Sequence, residues 1–339
     1  MTALQDAPRH SLSGPAAPFA TATAARGAAL LALGLALKQR AYAFTTVTPA
    51  THARVNARAD ARRSADLAGI FGWSRPFCAD VPDAELLQCM RDAGVVTGVD
   101  DADGALLSQV RASTLDGQLY FHSAFPTSAS DAVFFGPDTY RFIRALRGAL
   151  AAFPGPITRA VDIGCGAGSG AMTIALAHPG ATVFAADINQ AALNAAAINA
   201  RLASVTNLLP VHSDLLSGLD GDFDLIVSNP PYLLDREQRA YRHGGGDLGA
   251  GLSVAIVEQA VARLAPGGML ALYTGVAMVD TADPFRASAE SLLGAAGFRW
   301  TYEEIDPDVF GEELAEPAYQ HTDRIAAVFL CASKPVQGE

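Results

Sequence analysis

Apolar and polar positions alternate along this chain with two different periods, and the change between them divides it. Segments 26–42, 51–69 and 83–93 repeat apolar residues at helical spacing, interrupted by "GWSRPF" and "VPD". They predict a small helical N-terminal domain over 26–112. Segment 115–126, "LDGQLYFHSAFP", alternates at a period of two and predicts a hairpin or edge strand. In "FFGPDTYRFIRALRGAL", 134–150, Gly136-Pro137 turns the chain into a helix with Asp138 placed to cap it, and hairpin and helix together form a link over 113–156. From 157 to 339, apolar strands at 158–163, 181–186, 207–212, 223–228 and 269–274 alternate with helical patterns at 168–178, 189–203, 251–264 and 283–296. Such alternation implies right-handed crossovers and an α/β fold whose mostly parallel sheet carries helices on both faces. Two last strands, near 298–305 and 324–333, are separated by a long loop and suit an antiparallel hairpin at the sheet edge. Residues 1–25, rich in Ala, Pro, Ser and Thr without a period, read as a disordered tail.

Length and composition narrow the function. At 339 residues the chain can bury a core in both parts. A formal charge of -11 argues against a protein that grips nucleic acid through a broad basic surface. Lys and Arg gather near the N-terminus (Arg26, Lys38, Arg40, Arg54, Arg58, Arg62, Arg63), where a solvated helix face is the plain reading and a local nucleic-acid patch the alternative. Cys78, Cys89, Cys165 and Cys331 form no close pair, and the seven histidines have no metal-binding rhythm. The apolar run "GAALLALGLALK", 27–38, is too short to span a bilayer and fits a packed helix. A reduced, cytoplasmic protein without metal or membrane segment is expected.

The chemistry-bearing residues sit at strand ends. "AVDIGCGAGSGAM", 160–172, is a strand followed by Gly164, Gly166, Gly168 and Gly170, which let a ligand press on bare backbone at a helix mouth. Asp162 closes that strand; it would repel a pyrophosphate but can hold an ammonium, and no P-loop lysine follows. Asp187 ends the next strand, where a ribose diol would lie, and Asp214 ends the third, where it could accept from an adenine amino group. The fourth strand delivers Asn229-Pro230-Pro231-Tyr232 to the same sheet edge. The lone pair of an amide or exocyclic amine nitrogen is delocalised. The Asn229 oxygen and the Pro230 carbonyl can accept its two hydrogens and aim the lone pair, while Tyr232 offers a flat face.

Three acids around a glycine turn describe a pocket for a nucleoside that carries an ammonium group. The stretch 157–275 therefore resembles a class I, Rossmann-like S-adenosylmethionine (SAM)-dependent methyltransferase. Asn-Pro-Pro-Tyr is similar to the signature of enzymes that methylate planar nitrogen, among them the protein-(glutamine-N5) methyltransferases and the methyltransferase small-domain family. The resemblance implies SAM contacts from Asp162, Gly164, Cys165, Gly166, Gly168, Asp187, Ile188, Asp214, Leu215 and Asn229. It implies acceptor contacts from Asn229, Pro231 and Tyr232, and catalysis by Asn229, Pro230 and Tyr232. Pro137, Asp138 and Thr139 match the order of that family's "IPRPETE"-like run, but Gly136 stands in place of its Arg and Tyr140 in place of its second acid. Segment 241–275 is similar to its "DGGxDGL … LLKPGG" stretch, with Asp247 set after three glycines. The resemblance implies a protein glutamine as acceptor, with the helical N-terminal domain recognising the substrate. A base in RNA or DNA, a small-molecule metabolite, and a SAM-binding scaffold without turnover are the alternatives.

Overall fold

The computed structural model describes residues 19, 23–99, 104–236, 239 and 241–336. The tail expectation for 1–18 and 20–22 lies outside the described residues. Thr23 accepts a hydrogen bond from the Arg26 amide at 3.2 Å and starts helix α1 (Ala24–Gln39), so residues 24 and 25 are helical, not tail. The helix expected over 51–69 is broken. Helix α2 (Pro49–Asn56) ends early, a 3₁₀ turn follows at 59–61, and α3 (Leu67–Phe71) begins after Asp66. The break has a local cause: the Ser64 amide donates to the Pro76 carbonyl at 2.7 Å, and Asp66 caps α3 by accepting from the Gly69 amide. Helix α4 (Ala84–Asp92) and the short strands β1 (Val96–Gly98) and β2 (Leu106–Ser108) complete the N-terminal region.

Strands β3 (Val110–Leu115) and β4 (Gln118–Ser123) form the hairpin, which begins five residues earlier than expected. Asp116 and Gly117, both at positive φ, make its two-residue turn. Helix α5 (Pro137–Ala152) follows. The chain then winds β5 (Arg159–Ile163), α6 (Ser169–Ala177), β6 (Thr182–Asp187), α7 (Gln190–Leu202), β7 (Leu208–His212), β8 (Phe223–Ser228), α8 (Gly251–Arg263), β9 (Leu264–Met278), α9 (Pro284–Ala295), β10 (Arg299–Asp306) and β11 (Arg324–Ser333).

Seven strands share one sheet in the order β10-β11-β9-β8-β5-β6-β7, and all run parallel except β11. The expected terminal hairpin forms, with β11 inserted between β9 and β10. Chain order runs outward from β5 to β7 and then returns to β8 on the other side of β5. Such a reversal opens a crevice at the carboxyl ends of the two central strands. Ile163 of β5 is paired with Ser228 of β8, so Gly164 and Asn229 leave the sheet side by side. The Ser228 hydroxyl donates to the Ile163 carbonyl at 2.7 Å and ties the two ends together.

The N-terminal helices share an apolar core with one face of this sheet: Leu30, Leu33 and Leu37 of α1 are buried in one cluster with Phe121 of β4 and with Ala195 and Leu202 of α7. Asn199 of α7 is the polar joint in that seam. Its carboxamide accepts from the Phe121 amide at 2.8 Å and donates to the Phe121 carbonyl at 3.1 Å and to the Ala167 carbonyl at 2.9 Å. Asn199→Ala would leave three buried backbone groups without partners. A loss of about 3 kcal/mol is expected, read from the urea midpoint at unchanged m-value. An unmoved midpoint would mean that water replaces the amide.

Candidate active site

The first wall of the crevice is the turn after β5. Gly164, Gly166 and Gly168 all adopt positive φ. Behind them Asp162 accepts from the Ala171 amide in the first turn of α6 at 2.9 Å. Asp162 is buried, and burial pushes its carboxyl up to about 7, with the nearby Asp187 adding to the rise. Asp187 at the end of β6 accepts from the Gly166 amide at 3.0 Å and the Asn189 amide at 2.9 Å. These bonds hold the ionised form, while burial drives its pKa upward more strongly. Ile188 is exposed beside it, and Asp214 is exposed two residues after β7, next to Leu215 at φ 51°.

The second wall is the turn after β8. Asn229 is half-buried, and its carboxamide has no hydrogen-bond partner in the described structure. Tyr232 turns inward: its phenol donates to Asp138 at 2.9 Å, and its ring lies edge-on to Phe310 at 5.9 Å between centroids. Burial, with the Asp138 charge, lifts the Tyr232 phenol well above its ordinary pKa. The chain beyond Tyr232 is tied down. The Leu234 amide donates to the Tyr319 phenol at 2.8 Å, and Arg242 forms an ion pair with Glu313.

One cleft, open to solvent at its mouth, joins these walls. It is lined by Asp162, Gly164, Cys165, Gly166, Asp187, Ile188, Asp214, Leu215 and all four residues Asn229-Pro230-Pro231-Tyr232. Gly168 and Gly170 stand back from the wall, buried at the start of α6, Gly168 against Ala196 and Gly170 against Asp162 and Phe142. The cleft is bordered by aromatic side chains as well. Phe134 and Tyr241, parallel rings 6.1 Å apart, also line it, with Pro49 of α2.

Asp138 does not cap α5. Gly136 is the N-cap residue, its amide donating to the Thr139 hydroxyl, while the Asp138 carboxylate points into the protein. Tyr232 and Tyr273 both donate to it, and Arg141 pairs with it at 3.1 Å. The local pattern Gly-Pro-Asp-Thr signals a helix start but carries no trace of these distant partners. Tyr241 and Phe310 sit in irregular segments and gave no periodic signal.

Such a sheet, with a glycine turn after its central strand and Asn-Pro-Pro-Tyr on the neighbouring one, defines a class I methyltransferase domain. Residues 147–278 match the family model described as the methyltransferase small domain. Over 165 residues the chain is 35% identical to the release factor glutamine methyltransferase of Deinococcus radiodurans, a match covering 46% of this chain and 55% of the relative. The enzyme of that name from Moorella thermoacetica is 33% identical over 174 residues, 47% of this chain and 58% of the relative. The 4-amino-L-phenylalanine/4-methylamino-L-phenylalanine methyltransferase of Streptomyces pristinaespiralis is 32% identical over 157 residues, 43% of this chain and 51% of the relative. The chain thus spans little more than half the length of these curated relatives. Among the described residues no helix is long and apolar enough to cross a membrane, and no group of His, Cys, Asp and Glu could hold a metal.

Proposed function

We propose that this protein transfers the methyl group of SAM to a planar nitrogen, and that the acceptor is a glutamine side chain of a protein. The observation that carries the reading is the pairing of Ile163 with Ser228, which brings the unpartnered Asn229 carboxamide next to the glycine turn. The donor set fits the cofactor: Gly164 exposes bare backbone, Asp162 suits an ammonium, Asp187 a ribose diol and Asp214 an adenine amino group. When bound, SAM supplies an electrophilic methyl group. The Asn229 oxygen and the Pro230 carbonyl accept the two hydrogens of the acceptor nitrogen and turn its lone pair out of conjugation. The neighbouring prolines keep both acceptors from relaxing away. Glutamine as acceptor draws support from the two relatives at 35% and 33% identity, both named release factor glutamine methyltransferase. We place the enzyme in the cytoplasm, in keeping with four free thiols, and assign acceptor recognition to the helical N-terminal region, whose Pro49 borders the cleft.

An aromatic amine on a small molecule is the second reading. The Phe134–Tyr241 pair and the Streptomyces relative favour it. Incubating cell lysate with the purified protein and methyl-labelled SAM, then separating protein, nucleic acid and metabolites, distinguishes the two. Label in protein at a glutamine supports the first reading, and label only among metabolites replaces it with the second.

Cofactor affinity carries a pH signature. Asp162 is raised to about 7, so it is neutral below that pH and charged above it. Its attraction for an ammonium is lost as pH falls through 7, and SAM should bind about tenfold more tightly at pH 8 than at pH 6. Calorimetric titration across that range tests this, with Asp162→Asn expected to bind weakly and to flatten the dependence. An equal pH slope in that variant would assign the effect elsewhere.

A further inference from the structure

We propose that Asp138 is a positioning residue for the transfer, holding the Asn229–Tyr232 turn in its reactive geometry through the Tyr232 phenol. The proposal rests on the function just stated and goes beyond it, because Asp138 lies on α5, 94 residues before Tyr232.

A buried carboxylate is costly to desolvate, and its presence is weak evidence of a purely stabilising role. This one is fully used. One oxygen accepts from the Tyr232 phenol at 2.9 Å, and the other accepts from the Tyr273 phenol of β9 at 2.8 Å and from Arg141 at 3.1 Å. Arg141 in turn reaches Asp306 at the end of β10, at 2.9 Å. Helix α5, the turn after β8 and strand β9 therefore meet at one side chain, and Arg141 extends the network to β10. An ionised carboxylate only accepts, so both phenols must donate, and each hydroxyl direction is fixed. An amide would accept at one end and donate at the other, leaving one phenol free to turn. The Tyr232 ring fills the space above Gly275, where a Cβ would collide with it, so sliding in that direction is blocked. The hydrogen bond to Asp138 anchors the phenol end of the ring. Tyr232 follows Pro231 directly, and a shift of its ring moves the Pro230 carbonyl and Asn229 with it.

The test compares the full-length protein with Asp138→Asn, using SAM-binding calorimetry, steady-state transfer and fluorine NMR of protein labelled with 3-fluorotyrosine. The eight tyrosines give eight signals, and Tyr232→Phe and Tyr273→Phe identify the two that matter. Asp138→Asn should fold, bind SAM within about twofold of the parent, shift both assigned signals, and lose about a hundredfold in kcat with a smaller change in KM. Asp138→Glu, which keeps the charge on a longer arm, should restore part of kcat. Shifted signals with kcat within threefold of the parent would make the contact structural only and overturn the proposal. Unmoved signals in the Asn variant would also overturn it. Should the unsubstituted protein transfer methyl to no acceptor, the fault lies with the functional reading, and the fluorine signals alone decide whether Asp138 sets the position of Tyr232.

Discussion

Asn229→Ala is expected to reduce methyl transfer by about a thousandfold while SAM affinity stays within about threefold of the parent. The separation follows from where the residue stands. On the proposed function, cofactor contacts would be shared among Asp162, the Gly164–Gly166 backbone, Asp187 and Asp214, all of which line the cleft, so no single carboxamide would dominate binding. Activation of the acceptor nitrogen, on the same proposal, would depend on two oxygens, and Ala removes the one whose direction a side chain sets. Without it the nitrogen keeps its lone pair in conjugation and has no fixed heading toward the methyl group. The Asn229 side chain has no hydrogen-bond partner in the described structure, so Ala disturbs no internal network and the fold should tolerate it. Isotope transfer from labelled SAM gives the rate and calorimetry the affinity. A parallel loss of both would move Asn229 from the acceptor to the cofactor.

The parts of this architecture that could be read in advance are those written locally. Strands β5, β6, β7 and β8 each fall within a residue or so of their apolar runs, and the central pair β5 and β8 are largely apolar because a parallel strand covered on both faces buries most of its side chains. The glycine turn and Asn-Pro-Pro-Tyr stand at strand ends, where the fold brings them together whatever the rest of the chain does. Long-range polar pairing left no such trace. Asp138 looked like a cap because Gly-Pro-Asp-Thr is a helix-start pattern, yet its partners lie 94 and 135 residues away. Asn199 in an alanine-rich helix carried no hint that it would join β4 to the glycine turn. The break in the 51–69 helix leaves no local trace for a related reason. Helical spacing continues through "RADARRSAD", but Ser64 and Asp66 spend their hydrogen bonds on the Pro76 carbonyl and on a new helix start.

Gly249→Ala should cost both stability and turnover, and it separates the two walls of the cleft. Gly249 has φ 85°, a left-handed conformation that an L residue with a side chain adopts only at a cost of about 1 kcal/mol. A Cβ there would also collide with the Tyr232 carbonyl, which is backbone and has no rotamer to escape into. The Asn229–Tyr232 turn must therefore shift, and a displacement near 1 Å at a reacting group lowers rate by about a hundredfold. The glycine turn after β5 is untouched by this change, so SAM affinity should hold. Gly164→Ala makes the opposite case. It too has positive φ, 67°, but a Cβ would meet nothing within 4 Å and would project toward the cleft. That variant should retain the Tyr232 geometry, read from the same fluorine signal, and lose SAM affinity by about tenfold or more as the added methyl displaces the ligand from bare backbone. Calorimetry, thermal denaturation and turnover on the pair give a two-by-two outcome. If both variants lost affinity and rate alike, the two walls would act as one unit, and the division of labour between cofactor turn and acceptor turn would fall.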